Sequence, residues 1–443
     1  MSNPQALARR LGTFDAVVIG LGSMIGAGVF AAFTPAASAA GSGLLIGLVV
    51  AAAVAFCNAT SSAQLAAAYP TSGGTYIYGR ERLGPWAGYI AGWGFVIGKT
   101  ASAAAMAMTF AAYAAPPGWE RPVAIAAVAV LAVVNYHGVT RTAGLTRILV
   151  VAVLAALAVG VAACWGGSAT SSANIPGEGL LAHGWYGILQ SAGLLFFAFA
   201  GYARIATMGE EVRDPRRAIP RAIGIALGIA VVVYAIIAVT LLAALGPDRV
   251  AGTPTPLAAA IGGGTFAWAV PVVRGGAAVA SLGALLALIA GLARTTLAMA
   301  RHHDLPHWLA AVHPRYRVPH RAEAALAVLI CVIVAVADLR GAIGFSSFGV
   351  LIYYLVANIA AFTQPAQDRL YPKVLQVFGA LACVILVATL PPLSAGLGVL
   401  MFAAGIVLRL LRLRRWRHGR PGAGQGLTKR GSGVDGGGRT EQD

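Results

Sequence analysis

What most limits the fold of this 443-residue chain is the recurrence of apolar blocks long enough to cross a lipid bilayer. A helix rises 1.5 Å per residue, so about 20 apolar residues span roughly 30 Å of hydrocarbon. About twelve blocks qualify: 14–38, 43–66, 86–114, 122–137, 145–165, 186–208, 219–245, 269–299, 322–338, 341–363, 373–390 and 393–412. The fourth and ninth are short, which leaves eleven as the alternative count. Charged residues make up 11% of the chain, where soluble domains carry about a quarter. The first block is longer than a signal-peptide core and lacks a small-x-small cleavage site, so it reads as a span. In lipid a backbone must satisfy its own polar groups, and the apolar blocks have helical length. The expected fold class is therefore an all-α integral membrane protein.

The net charge of +17 invites a nucleic-acid reading, but its distribution argues otherwise. With twelve spans and a cytoplasmic N-terminus, the outer connections hold Arg121, Arg249, Arg274 and Arg340. The inner ones and the ends hold most of the rest, among them Arg9, Arg10, Arg80, Arg82, Arg141, Arg147, Arg213, Arg301 and Arg315. This is the positive-inside asymmetry, and it predicts both termini in the cytoplasm. The run RLLRLRRWRHGR (409–420) sits on the same side, suited to anionic lipid headgroups, and the Gly-rich remainder of 413–443 reads as disordered. No nucleic-acid partner is expected.

Several apparent motifs carry no chemistry. Cys57, Cys164, Cys331 and Cys383 lie singly in separate blocks and read as small hydrophobes. His302, His303, His307, His313 and His320 share one loop and are too few for a di-iron-type site, so no metal and no cofactor is expected. GFVIGKT (94–100) has one residue too few between its glycines for a phosphate loop, and it lies mid-span. GLGSMIG (20–26) resembles a dinucleotide fingerprint without the βαβ unit that would give it meaning.

Two spans are interrupted. GLGSMIGAGVF (20–30) places four glycines in the first, each weakening a helix by up to ~1 kcal/mol. LLFFAFAGYARIATMGEE (194–211) breaks around Ala200–Gly201 in the sixth. Interrupted helices at corresponding places in two halves point to a transporter site, with 14–165 and 186–363 as inverted repeats and 373–412 as an addition. Residues 1–13 form the cytoplasmic N-terminus in this division. A half-helix N-terminus suits a carboxylate and freed carbonyls suit an ammonium, so one cavity would fit an amino acid zwitterion. The competing reading of GSMIG (22–26) is close helix packing through small residues.

Four stretches together resemble bacterial amino acid permeases of the amino acid–polyamine–organocation superfamily. They are GLGSMIGAGVF, AAAYPTSGGTYIYGRERLGPWAGYIAGW (66–93), FFAFAGYARIATMGEEVRDPRRAIPRAI (196–223) and RTTLAMARHHDLPHWLAAVHPRYRVPHRA (294–322). The resemblance implies a leucine-transporter-type fold of about 12 helices, with a 5+5 inverted repeat and broken helices 1 and 6. It implies a substrate site at Met24, Ile25, Gly26, Ala27, Gly28, Phe197, Ala198 and Ala200. Amides around Gly26, Ala27 and Gly28 would take the carboxylate, and carbonyls of Met24, Phe197 and Ala200 the ammonium. Phe197 would be the gate. Relatives often carry a polar or acidic residue where this chain has Ala203, which speaks against cationic substrates. The loops at 70–74 and 210–221 would brace the inner gate through Arg–Glu contacts.

Two ionisable residues complete the reading. Lys99 lies about 20 Å from either end of its span, too deep to snorkel, and intramembrane charges are functional candidates. It is expected either to switch protonation or to tether carbonyls of the broken helices. Arg204 is expected either near the ligand, disfavouring cations, or bracing the gate near Glu210 and Glu211. The fifth span has no lysine, and the eighth has no paired mid-depth hydroxyls for sodium, which favours protons or exchange. The function expected is secondary amino acid transport across the cell membrane. The alternatives are an organic-amine permease and a membrane-embedded enzyme, the latter lacking converging catalytic groups.

Overall fold

A computed structural model describes residues 11–70, 73–138, 143–167 and 170–418. Residues 1–10 and 419–443, on which much of the expected basic ends falls, lie outside the described residues, as do Thr71, Ser72 and Arg141. The all-α expectation holds. Among the described residues every regular element is helical, and one isolated bridge pairs Leu11 with Val212.

The first block contains α1 (Thr13–Met24), α2 (Ala27–Ala31) and α3 (Phe33–Ala40). Pro35 causes the second interruption: lacking an N–H, it leaves the Ala31 carbonyl without its helical partner. Ala32 keeps right-handed helical dihedrals, so α2 and α3 continue one another. α4 (Leu44–Ala68) is followed by the short α5 (Thr75–Leu83) and by α6 (Pro85–Ala114). Gly84, at φ +96°, ends α5, and Pro85 opens α6 with the φ a first turn needs. α7 (Glu120–Tyr136) and α8 (Ala143–Gly166) follow. The sixth block divides into α9 (Gly184–Phe199), a 3-10 turn (Ala200–Tyr202) and α10 (Ala203–Ala206). Beyond it come α11 (Pro215–Gly252), bent where Pro247 removes a donor, then α12 (Pro256–Gly262) and α13 (Val270–Arg301). α14 (His320–Val336), α15 (Leu339–Phe362), α16 (Lys373–Thr389) and α17 (Pro392–His418) complete the order.

Among the described residues, nine helical segments are long and apolar enough to cross a membrane. Helices also fill the other three expected blocks, α7, α14 and α16, each of 17 residues. At about 26 Å these are shorter than the hydrocarbon core, so a count of twelve rests on them. Burial separates centre from periphery: 83% of the most apolar stretch of Gly184–Ala206 is buried and 72% of that in Thr13–Ala31, Pro85–Ala114 and Leu339–Phe362, against 39% for Gly144–Gly166. Ile148, Val151, Val232, Val328 and Val374 are exposed, giving α8, α11, α14 and α16 apolar outer faces suited to lipid.

Glycines set a close seam between α6 and α15. A Cβ on Gly94 would lie 2.7 Å from the Gly349 carbonyl oxygen, and one on Gly98 2.9 Å from that of Ser346. The GFVIGKT stretch is thus where α6 and α15 touch. Beside it α4 and α15 are joined by buried side chains: Ser61 Oγ donates to Asn358 Oδ1 at 2.6 Å, and Gln64 Nε2 to Gln364 Oε1 at 2.7 Å. Such bonds hold membrane helices together where lipid offers no competing partner.

Candidate functional site

The first break spans Ile25 and Gly26, between the end of α1 and the start of α2. It faces the second break closely. A Cβ on Gly28 would stand 2.7 Å from Ala198 Cα, and one on Gly201 would stand 2.3 Å from the Ser23 carbonyl oxygen. Any side chain at either position would collide with backbone. The glycines therefore let two interrupted spans approach, and small-residue packing is also realised, since Gly26 abuts Ala284 of α13.

Met24, Ile25, Ala27, Phe197, Ala198 and Ala200 are all buried around this junction, with Gly26 and Gly28. Two of the three carbonyls assigned to a substrate ammonium already meet protein donors. The Tyr234 hydroxyl of α11 lies 2.6 Å from Met24 O and 3.0 Å from Ala198 O, bridging both breaks. Lys99 Nζ donates to Ala200 O at 3.3 Å, and the Tyr354 hydroxyl reaches the same oxygen at 3.5 Å. Lys99 is 7% exposed and sits mid-α6, so the sequence-expected depth corresponds to a contact with the second break. Phe196 and Phe199 are pinned edge-on to Tyr354 and Tyr234, whereas Phe197 between them has no ring contact among the described residues.

Tyr234 and Tyr354 were not legible as site residues. In an apolar span a tyrosine reads as packing; the available signal is that a buried phenol requires a polar partner, here the freed carbonyls of a broken helix.

Arg204 lies apart from these contacts. It lines a cavity of ≈ 150 Å³ with Ile19, Ser23, Thr146, Glu211 and Ala287, and its guanidinium is 3.5 Å from Thr207 Oγ1. On that side α5 is seated by several bonds. Tyr78 Oη donates to Ala206 O at 3.1 Å, Thr75 N to Tyr353 Oη at 3.1 Å, and Arg80 pairs with Asp304 at 2.9 Å. Tyr76 Oη also donates to Asp304, at 2.8 Å. Arg147 pairs with Asp15. Both of these ion pairs lie outside the loops at 70–74 and 210–221, where Arg–Glu contacts were expected. At the opposite end Tyr113 packs edge-on to Phe30 at 5.6 Å, Arg274 donates to the Tyr113 carbonyl, and Arg340 reaches Ser38 and Gln190.

The sequence from residue 11 to 410 matches the amino acid permease family. The chain belongs to the amino acid permease family. This permease is 55% identical over 418 residues to an uncharacterized transporter of Mycobacterium tuberculosis, covering 94% of each chain. It is 24% identical to the branched-chain amino acid permease BcaP of Bacillus subtilis, over 94% of this chain and 95% of that one. A chloroplastic cationic amino acid transporter of Arabidopsis thaliana is 26% identical, over 81% of this chain and 66% of its own length. The permease is a multi-pass membrane transporter of the leucine-transporter type, and its relatives place it with transporters rather than enzymes.

Proposed function

We propose that this permease carries neutral amino acids across the cell membrane, with both termini cytoplasmic, by proton coupling or exchange. The observation that carries the reading is the junction of two interrupted spans at Gly28–Ala198 and Gly201–Ser23. Its freed amides and carbonyls form a dipolar site for a zwitterion. The carboxylate is received by the amides of Gly26, Ala27 and Gly28. The ammonium takes the carbonyls of Met24, Phe197 and Ala200, sharing the Met24 oxygen with Tyr234 and competing with Lys99 and Tyr354 for that of Ala200. Phe197 closes over the ligand. Residues 14–165 and 186–363 act as the two inverted repeats that rock about this site.

Three features disfavour a cationic side chain. Lys99 places an ammonium at the site, Ala203 offers no anion, and Arg204 lines the adjoining cavity. Branched-chain substrates are named for one relative and cationic ones for another, and the charges here favour the former class. Lys99 also supplies a proton-binding group where the fifth span has none. Its protonated form holds the Ala200 carbonyl, and its neutral form releases it.

The test is a thermal-melt screen of purified protein against neutral, acidic and cationic amino acids and polyamines. A ligand present at 100 times its Kd stabilises by about 2.7 kcal/mol through mass action. Neutral amino acids should raise the melting temperature. Stabilisation by polyamines alone would overturn the reading.

A further inference from the structure

Away from the central junction, the outer face of α14 carries a concave apolar surface. The groove measures ≈ 630 Å³. Ala324 and Ala325 are small enough to leave the recess, Val328, Leu329 and Val332 line its length, and Trp308 and Arg321 stand at its head. Val328 is 65% exposed and Val332 51%, so no protein element covers them among the described residues. From Arg321 to Val332 is eleven residues of helix, about 16 Å, close to half the hydrocarbon thickness and so to one leaflet.

The head of the groove is cationic. Arg321 has no hydrogen-bond or ion-pair partner among the described residues, and Arg315 and Arg317 are exposed in the loop that leads into α14. Two acids of this region are committed elsewhere: Glu323 is buried in α14, and Asp304 is paired with Arg80. A planar guanidinium offers paired donors to phosphate oxygens, and an indole at this depth sits at the level of lipid headgroups.

We propose that this groove is a binding site for one anionic phospholipid of the adjacent leaflet. The phosphate lies on Arg321, the headgroup region lies beside Trp308, and an acyl chain fills the recess over Ala324 and Ala325 down to Val332.

Brominated lipids test it, because bromine quenches tryptophan only at contact. The full chain in detergent micelles is titrated with brominated phosphatidylglycerol or brominated phosphatidylcholine. The quenching lost in Trp308→Phe isolates the Trp308 signal. That signal should half-quench at a several-fold lower mole fraction of phosphatidylglycerol than of phosphatidylcholine. Arg321→Gln should erase the difference, Arg321→Lys should keep part of it, and raising salt should shrink it. Both substituted residues are exposed, and a melting temperature unchanged from wild type confirms that each variant is folded. Equal quenching by the two lipids would reduce the groove to ordinary lipid contact and overturn the proposal. A preference that survives in Arg321→Gln would equally overturn it.

Discussion

Lys99, Tyr234 and Tyr354 reach the backbone carbonyls beside the two breaks, Lys99 through an amine and the other two through phenols. Their chemistry separates their roles. Tyr234 is a neutral clasp whose hydroxyl bridges Met24 and Ala198. Tyr234→Phe should lower stability by about 1 kcal/mol, between the ~0.6 kcal/mol average for bonds between membrane helices and the ~1–3 kcal/mol of a stranded buried group. A thermal melt reads this directly, and an unchanged melting temperature would show the bridge to be idle. Lys99 can lose its charge. Lys99→Met in proteoliposomes should keep substrate binding and exchange while losing accumulation driven by a pH gradient. Loss of binding together with accumulation would make Lys99 a fixed tether instead. Continued accumulation on a proton gradient alone would remove it from coupling altogether.

At the scale of elements, the interruptions in α1/α2 and α9/α10 were legible because glycine and the apolar block length are one-dimensional signals. What the glycines do was only partly legible. The sequence offered ligand space or helix packing at GSMIG, and the structure has the glycines bringing the two breaks into backbone contact. Gly28→Ala should therefore cost ~1–3 kcal/mol through overpacking against Ala198, and amino acid affinity should fall with it as the breaks are pushed apart. Circular dichroism melts with and without substrate would measure both effects; a stable variant with wild-type affinity would refute the contact. Tyr234, Tyr354 and the Asp304 acceptor were not legible. Each depends on which helix faces which, and no local pattern encodes that.

For the whole molecule, α5 is the part that ties distant segments together, since it binds Ala206 at the end of α10, Tyr353 in α15 and Asp304 after α13. Removing one member of a buried ion pair costs ~3–5 kcal/mol, and the 22% exposure of the Arg80 side chain reduces that to roughly 1–3 kcal/mol. Arg80→Ala should show this loss in its melting temperature and should leak substrate from loaded vesicles faster than wild type. An equal melt and an equal leak would make α5 a passive loop.

The bridge between Leu11 and Val212 has a mechanical consequence. Leu11 N donates to Glu211 O at 3.1 Å and Arg213 N to Leu11 O at 2.9 Å, so the chain entering α1 is laced to the chain leaving α10. While those two bonds persist, neither half-span can swing aside without dragging the other. A door built this way has two leaves on a single latch, and its opening is one concerted event rather than two independent ones.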